Sequence, residues 1–176
     1  MKLSQSSQWN LRPAILGLTL AIITILFGQG MGVVFGVNED AIKSTLEESA
    51  RAVKETVYKN DDIAMKAVLT KCWSYMQRAH LHAGAMGTTA VTLIILLCLI
   101  ECSPLKTLLI SIGLGAGGLG YSLFWMLAGF RAPVLGSTGI AKESLKWLAQ
   151  PSVIMFISST FFVLALMICK VFKSSK

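Results

Sequence analysis

Apolar residues are concentrated in four long blocks along the chain, and this clustering determines the predicted fold. The blocks run from Pro13 to about Gly36, then over residues 79–100, 105–130 and 151–171. Each block reaches the roughly 20 residues that an α-helix needs to cross about 30 Å of hydrocarbon. Because a bilayer offers the backbone no hydrogen-bond partner, each block is predicted to be a helix. The predicted fold class is therefore all-α: one integral membrane four-helix bundle comprising residues 1–176.

The polar segment between the first two blocks, residues 38–77, has the pattern of a helical hairpin. Asn38 precedes two acidic residues, which suits the start of a helix, and apolar residues then recur at helical spacing. A second start lies at residues 60–62 (Asn-Asp-Asp), from which a helix through Met76 can continue into the second block. We expect an extramembrane hairpin packed on the membrane surface. The alternative is a surface that docks a specific partner.

The two remaining connections have different patterns. The second and third blocks are separated only by residues around Ser103-Pro104, which predicts antiparallel neighbouring helices. After the third block, the sequence Arg131-Ala132-Pro133 is predicted to break the helix. Residues 138–150 then have the pattern of a short amphipathic helix. We expect it to lie flat at the lipid headgroups with Trp147 as an anchor.

Glycines occur at helical spacing in two of the blocks. Gly28, Gly32 and Gly36 recur every four residues in the first block, and the third block contains Gly113 and Gly117. Small residues four apart allow helix backbones to approach closely in a membrane. We expect these glycines to pack helices within the chain. The alternative is that one stripe packs against another subunit, giving a homo- or hetero-oligomer.

The two histidines of the chain both lie at the start of the second block. They belong to a candidate cofactor-binding set of Arg78, His80, His82 and Met86. Ionisable groups at this depth are costly and are candidates for a functional role. Positions two apart on a helix differ by about 200°, so the histidines are predicted to point to nearly opposite sides and not to chelate one metal.

Each histidine can provide one axial ligand, with haem b as the candidate cofactor and a quinone as another flat ligand. A second histidine ligand would have to come from another subunit. The alternatives are that the histidines bond to neighbouring helices or handle protons.

The net charge of +7 fits a membrane protein because much of it flanks the apolar blocks. Lys2 and Arg12 precede the first block, and Lys170, Lys173 and Lys176 end or follow the last. Such residues fix topology and contact anionic headgroups, so we expect a lipid bilayer and no nucleic acid as partner. We favour cytoplasmic termini in a bacterial inner membrane. The first block is longer than the core of a signal peptide, so we expect it to be retained.

No catalytic set accompanies these features. The four cysteines lack the spacing of a zinc site or a disulfide framework, and the blocks contain no paired carboxylates. The leading hypothesis is therefore a non-catalytic subunit or assembly partner of a membrane complex. The first alternative is an electron-transfer protein that binds haem, quinone or a metal through His80 or His82. The second is a small transporter or channel, which the lack of intramembrane acids makes less favourable.

Overall fold

The computed structural model describes residues 11–100 and 102–174, and all regular elements in that part of the chain are helical. A 3-10 turn at Arg12–Ala14 leads into α1. The helices are α1 (Ile15–Arg51), α2 (Asp62–Leu99), α3 (Pro104–Leu135), α4 (Thr138–Glu143) and α5 (Lys146–Ser174). Four of them, α1, α2, α3 and α5, are long and apolar enough to cross a membrane. The prediction of an all-α protein with four long apolar helices is confirmed.

Helix α3 is the centre of the bundle and packs against α1, α2 and α5. Within its most apolar window 56% of the residues are buried, against 28% or less in the other three helices. Its neighbours therefore expose most of their apolar side chains outward, as expected where lipid is the solvent. The core at one end contains Ala21, Ala90, Ile94, Leu97, Leu114 and Val163.

Helices α1 and α2 both extend well beyond the predicted spans. Asn38, the predicted start of the hairpin helix, has non-helical dihedral angles (φ −128°, ψ 27°) and marks a kink at which two helical segments of α1 meet. Helix α2 begins at Asp62, where the side chain of Asp61 accepts a hydrogen bond from Ala64 N at 2.9 Å, and it runs unbroken into the second block.

The predicted break at Arg131-Ala132-Pro133 is wrong. Helix α3 continues through Pro133 to Leu135 and ends at Gly136, which has a left-handed φ of 63°. The missing proline N–H removes one helical bond. However, Ala132 is fully buried in a cluster with Cys72 and Leu46, so the end of α3 is held by its contacts with α1 and α2.

The segment predicted as one helix over residues 138–150 is divided. Helix α4 ends at Glu143, and α5 begins at Lys146 and continues through Pro151. The turn between them allows Leu145, only 3% exposed, to join a core cluster that includes Trp125 and Phe124. Trp147 remains 70% exposed. Burial of Leu145 therefore favours a break after Glu143 over one straight amphipathic helix across residues 138–150.

Candidate functional site

His80 lies on the side of α2 that faces α1. Its Nδ1 is 2.7 Å from the carbonyl oxygen of Gly28. A carbonyl oxygen only accepts hydrogen bonds, so Nδ1 is the donor, and in the neutral ring Nε2 keeps its lone pair. The ring lies over Gly32: a Cβ added there would be 2.8 Å from Cε1 of His80. The imidazole thus fits against α1 because residue 32 has no side chain.

His82 lies on the other side of α2 and faces α3. Its Nδ1 is 2.8 Å from the carbonyl oxygen of Arg78, one turn earlier on the same helix. The ring centroid is 5.2 Å from that of Tyr121 and 6.1 Å from that of Trp125, both on α3. The two histidines therefore contact different helices, as their spacing predicts, and do not share a ligand position.

Arg78 and Met86, the other two predicted site residues, both lie on the α3 side. The guanidinium carbon of Arg78 is 5.0 Å from the ring centroid of Trp125 and 5.6 Å from that of Tyr75. Met86 lies against Gly118, where an added Cβ would be 3.4 Å from the Cβ of Met86. Arg78 and His82 thus meet at Trp125, whereas Met86 fills the contact between α2 and α3 further along the helices.

Sequence reasoning missed the aromatic side chains that surround Arg78. The rings of Tyr75 and Trp125 are 4.9 Å apart, and Nζ of Lys142, on α4, is 5.9 Å from the centroid of Tyr75. We call this group the aromatic–basic cluster; its members are Tyr75, Arg78, His82, Tyr121, Phe124, Trp125 and Lys142. The cluster members on α3, Tyr121, Phe124 and Trp125, have the spacing of ordinary core residues. Only the register of α2 against α3 brings them close to Arg78.

Two features of the aromatic–basic cluster are unusual. Trp125 is only 9% exposed, yet its Nε1 is the one buried side-chain nitrogen or oxygen in the described residues without a hydrogen-bond partner. In addition, neither Arg78 nor Lys142 takes part in any of the ion pairs found in residues 11–100 and 102–174. The nearest acid in sequence to Lys142, Glu143, is paired with Lys146.

Four of the five predicted packing glycines face another helix of the chain. An added Cβ at Gly28 would be 3.0 Å from Cβ of Ala83 on α2, and Gly32 lies under His80. Gly113 and Gly117 face α5, where they contact Ser159 and the region of Ser152 and Phe156, respectively. Gly36 differs, because an added Cβ there would meet nothing within 4 Å.

The turn between α1 and α2 is joined to the end of α3. The hydroxyl of Tyr58 donates a hydrogen bond to the carbonyl oxygen of Pro133 at 2.6 Å, and Val57 lies against Gly136. Burial, and to a lesser extent the neighbouring Cys72, raises the pKa of Tyr58 above its usual value, which keeps the hydroxyl protonated as a donor. The α1–α2 hairpin is thus fixed to the bundle at its tip.

An open apolar groove of about 320 Å³ lies between α1 and α3, close to where α1 kinks. Gly30, Val34 and Phe35 of α1 line one wall, and Met126 and Phe130 of α3 line the other. An added Cβ at Gly30 would meet nothing within 4 Å. Elsewhere, no group of three or more His, Cys, Asp or Glu side chains in the described residues is placed to hold a metal ion.

Four long apolar helices, of which α1, α2 and α5 pack around α3, define the class of the molecule, an integral membrane protein of the polytopic kind. Comparisons with known protein families, with curated proteins and with solved structures find no match to the chain.

Proposed function

We propose that this protein is a non-catalytic subunit or assembly partner of a membrane complex, placed in a bacterial inner membrane. The observation that carries the proposal is the groove between α1 and α3, where Gly30 provides a gap in an otherwise apolar wall. A gap without a side chain allows a second helix to approach the backbone of α1 closely, which is how helices associate in lipid. Gly36 lies further along the same helix, and an added Cβ there would also meet nothing within 4 Å.

The α1–α2 hairpin supports the same proposal. Its two arms share a core that includes Leu46, Ala50 and Met65, and its tip is bonded to α3 through Tyr58. A hairpin held in this way presents its polar outer side chains in fixed positions. Such a pre-organised extramembrane surface suits binding to a partner, because little conformational entropy is lost on association.

The proposed topology places the termini in the cytoplasm and the hairpin and α4 outside. The hairpin tip and the end of α3 lie at the same end of the bundle, since Tyr58 contacts Pro133. The chain segments at the two ends carry bases, among them Lys2, Arg12 and Lys170, and no acids, whereas the bases of the hairpin are balanced by acids. A membrane-impermeant thiol reagent should label Lys66→Cys in a cysteine-free background from outside intact cells, and Lys2→Cys only after permeabilisation. The reverse pattern would contradict this topology.

The proposed complex is tested by comparing substitutions at two glycines that have open space around them, Gly30 on α1 and Gly84 on α2. Gly30→Leu fills the groove, whereas Gly84→Leu is the matched control, because an added Cβ at Gly84 also meets nothing within 4 Å. Crosslinking in membranes, followed by extraction in mild detergent, should capture an oligomer or partner with the parent chain and with Gly84→Leu. Gly30→Leu should lose it while remaining folded. A monomer in all three samples, or equal capture by both variants, would refute the proposal.

A second candidate function is binding of a redox cofactor, with haem b as the candidate, and one observation favours it. Both histidines donate from Nδ1 to a backbone carbonyl, the arrangement that orients Nε2 for a metal ion. His80 or His82 would hold the haem iron through Nε2, and a bound haem would supply electron transfer. The purified protein should then show a Soret band that His80→Ala or His82→Ala removes. A spectrum without this band excludes the haem version.

A further inference from the structure

Two cations approach a single aromatic ring in the aromatic–basic cluster. The Arg78 guanidinium carbon and Lys142 Nζ lie 5.6 and 5.9 Å from the centroid of Tyr75. Cation–π attraction favours each contact. Neither is neutralised by a carboxylate in the part of the chain that the structure describes. An anion bound beside this ring would supply the missing negative charge.

Trp125 provides an independent indication of a ligand. A buried N–H without an acceptor costs free energy, so such groups are rare in folded proteins. Nε1 of Trp125 is in this state, in a side chain that is more than nine-tenths buried. The same ring contacts Arg78 and His82. The orphan donor of Trp125, the adjacent Arg78 and Lys142 on the neighbouring Tyr75 ring form a donor set that suits an anion with several oxygens.

The position along the chain indicates which anion. Arg78 directly precedes the apolar block that begins at Ala79, which is the level of the headgroups for a helix crossing the bilayer. A guanidinium matches the geometry of phosphate oxygens and can bind two of them together. The aromatic faces of Tyr75, Tyr121 and Trp125 suit the boundary between headgroups and acyl chains.

We propose that the aromatic–basic cluster is a binding site for the phosphate group of an anionic membrane phospholipid. Arg78 and Lys142 neutralise the phosphate, and the indole N–H of Trp125 donates a hydrogen bond to it. His82 holds its own ring against Tyr121 and caps the carbonyl of Arg78, so it forms a wall of the site. This proposal does not depend on a protein partner and stands apart from the proposed subunit role.

The test measures lipid binding to the full-length protein by native mass spectrometry in detergent. Phosphatidylglycerol is titrated against phosphatidylcholine, and the parent chain should prefer the anionic lipid. Arg78→Gln and Lys142→Gln should each weaken binding of phosphatidylglycerol by roughly fivefold, as expected for one basic residue near an anionic headgroup. The control is the double variant Lys66→Gln/Lys71→Gln, which removes two exposed charges of the hairpin and should bind like the parent chain.

The sharper variant is Trp125→Phe, which keeps an aromatic ring and removes only the N–H and part of the ring area. No hydrogen bond within the protein is lost, because Nε1 has no partner there. We expect roughly tenfold weaker binding of phosphatidylglycerol, the effect of one hydrogen bond to a charged group. Trp147→Phe is the matched control, since Trp147 is 70% exposed and lies outside the cluster.

The possible outcomes distinguish a lipid phosphate from a soluble phosphate as the ligand. Competition by millimolar inorganic phosphate or glycerol phosphate, without preference between the two lipids, would show that the site takes a soluble phosphate and overturn the lipid assignment. Equal binding by the parent chain, Arg78→Gln/Lys142→Gln and Trp125→Phe would overturn the site itself. A variant that elutes as aggregate is replaced by Arg78→Lys, which keeps the charge and should retain binding within a fewfold of the parent chain.

Discussion

Replacing Gly115 by alanine is expected to force α1 and α3 apart at a point where their backbones lie close together. A Cβ at this position would overlap the carbonyl oxygen of Gly17 and would lie 2.9 Å from Cβ of Leu20 and 3.2 Å from the backbone nitrogen of Ala21. Two of these three atoms belong to the backbone of α1, so no rotamer change relieves the overlap. Sliding α1 along α3 is also blocked, because Gly17 itself lies directly against the backbone of Ser111.

The expected loss in free energy of unfolding follows from overpacking at a site where the neighbouring backbone cannot move aside. Inserting one extra carbon into a close-packed contact costs about 1–3 kcal/mol. Gly36→Ala is the matched control, because the same substitution in α1 meets nothing within 4 Å. Alanine is favoured over glycine in a helix by about 0.5–1 kcal/mol, so this control should be slightly stabilised. This gain is common to both substitutions and cancels in the comparison, so the two variants should differ by about 1–3 kcal/mol in free energy of unfolding.

The assay is reversible unfolding of the purified protein in mixed micelles of mild detergent and sodium dodecyl sulfate, followed by circular dichroism. Both variants and the parent chain are titrated under the same conditions, and their midpoints and slopes are compared. The reasoning would be refuted if Gly115→Ala and Gly36→Ala unfolded within about 0.5 kcal/mol of each other, the range of an ordinary surface substitution.

Other contacts give further expected outcomes. Tyr58→Phe leaves the buried carbonyl of Pro133 without its donor and should lower the free energy of unfolding by about 1–3 kcal/mol, measured in the same titration. Because the folded-state pKa of Tyr58 is raised, the stabilisation by its hydroxyl is complete below about pH 10 and is lost as the pH rises through the folded-state pKa. The free energy of unfolding measured from pH 8 to 12 should therefore fall less in Tyr58→Phe than in the parent chain. His80→Phe removes the bond to Gly28 and should cost about 1 kcal/mol, whereas no loss would show that the bond contributes nothing. Asp61→Ala removes a helix cap and should cost about 0.5–2 kcal/mol, with increased amide exchange in the first turn of α2 as the local signature.

The four membrane helices were predictable because hydrocarbon imposes a simple requirement on length and composition, which the sequence meets four times. The end of α3 was not predictable in this way. Pro133 has a strong local preference against continuing a helix, but burial of Ala132 against α1 and α2 outweighs it. The split of residues 138–150 has the same kind of cause, the burial of Leu145. Both are tertiary effects that local patterns do not contain.

The candidate site was partly predictable for a related reason. The opposite directions of His80 and His82 follow from helix geometry alone, and their contacts with α1 and α3 agree with it. The aromatic residues around Arg78 depend on the register between α2 and α3, which is set by packing along the whole length of both helices. Tyr121 and Trp125 are ordinary residues of an apolar block until that register brings them to the start of α2.

The hydrogen bond between Tyr58 and Pro133 joins residues 75 positions apart and so has a consequence for biosynthesis. A ribosome adds about 5–20 residues per second, so Tyr58 is made roughly 4–15 s before its acceptor exists. During that interval the tip of the hairpin has no anchor, and it closes only when the third helix has been inserted. The nascent protein therefore passes through a stage with two helices in the bilayer and an unlatched hairpin, at which a chaperone or protease has access to surfaces that the finished molecule buries.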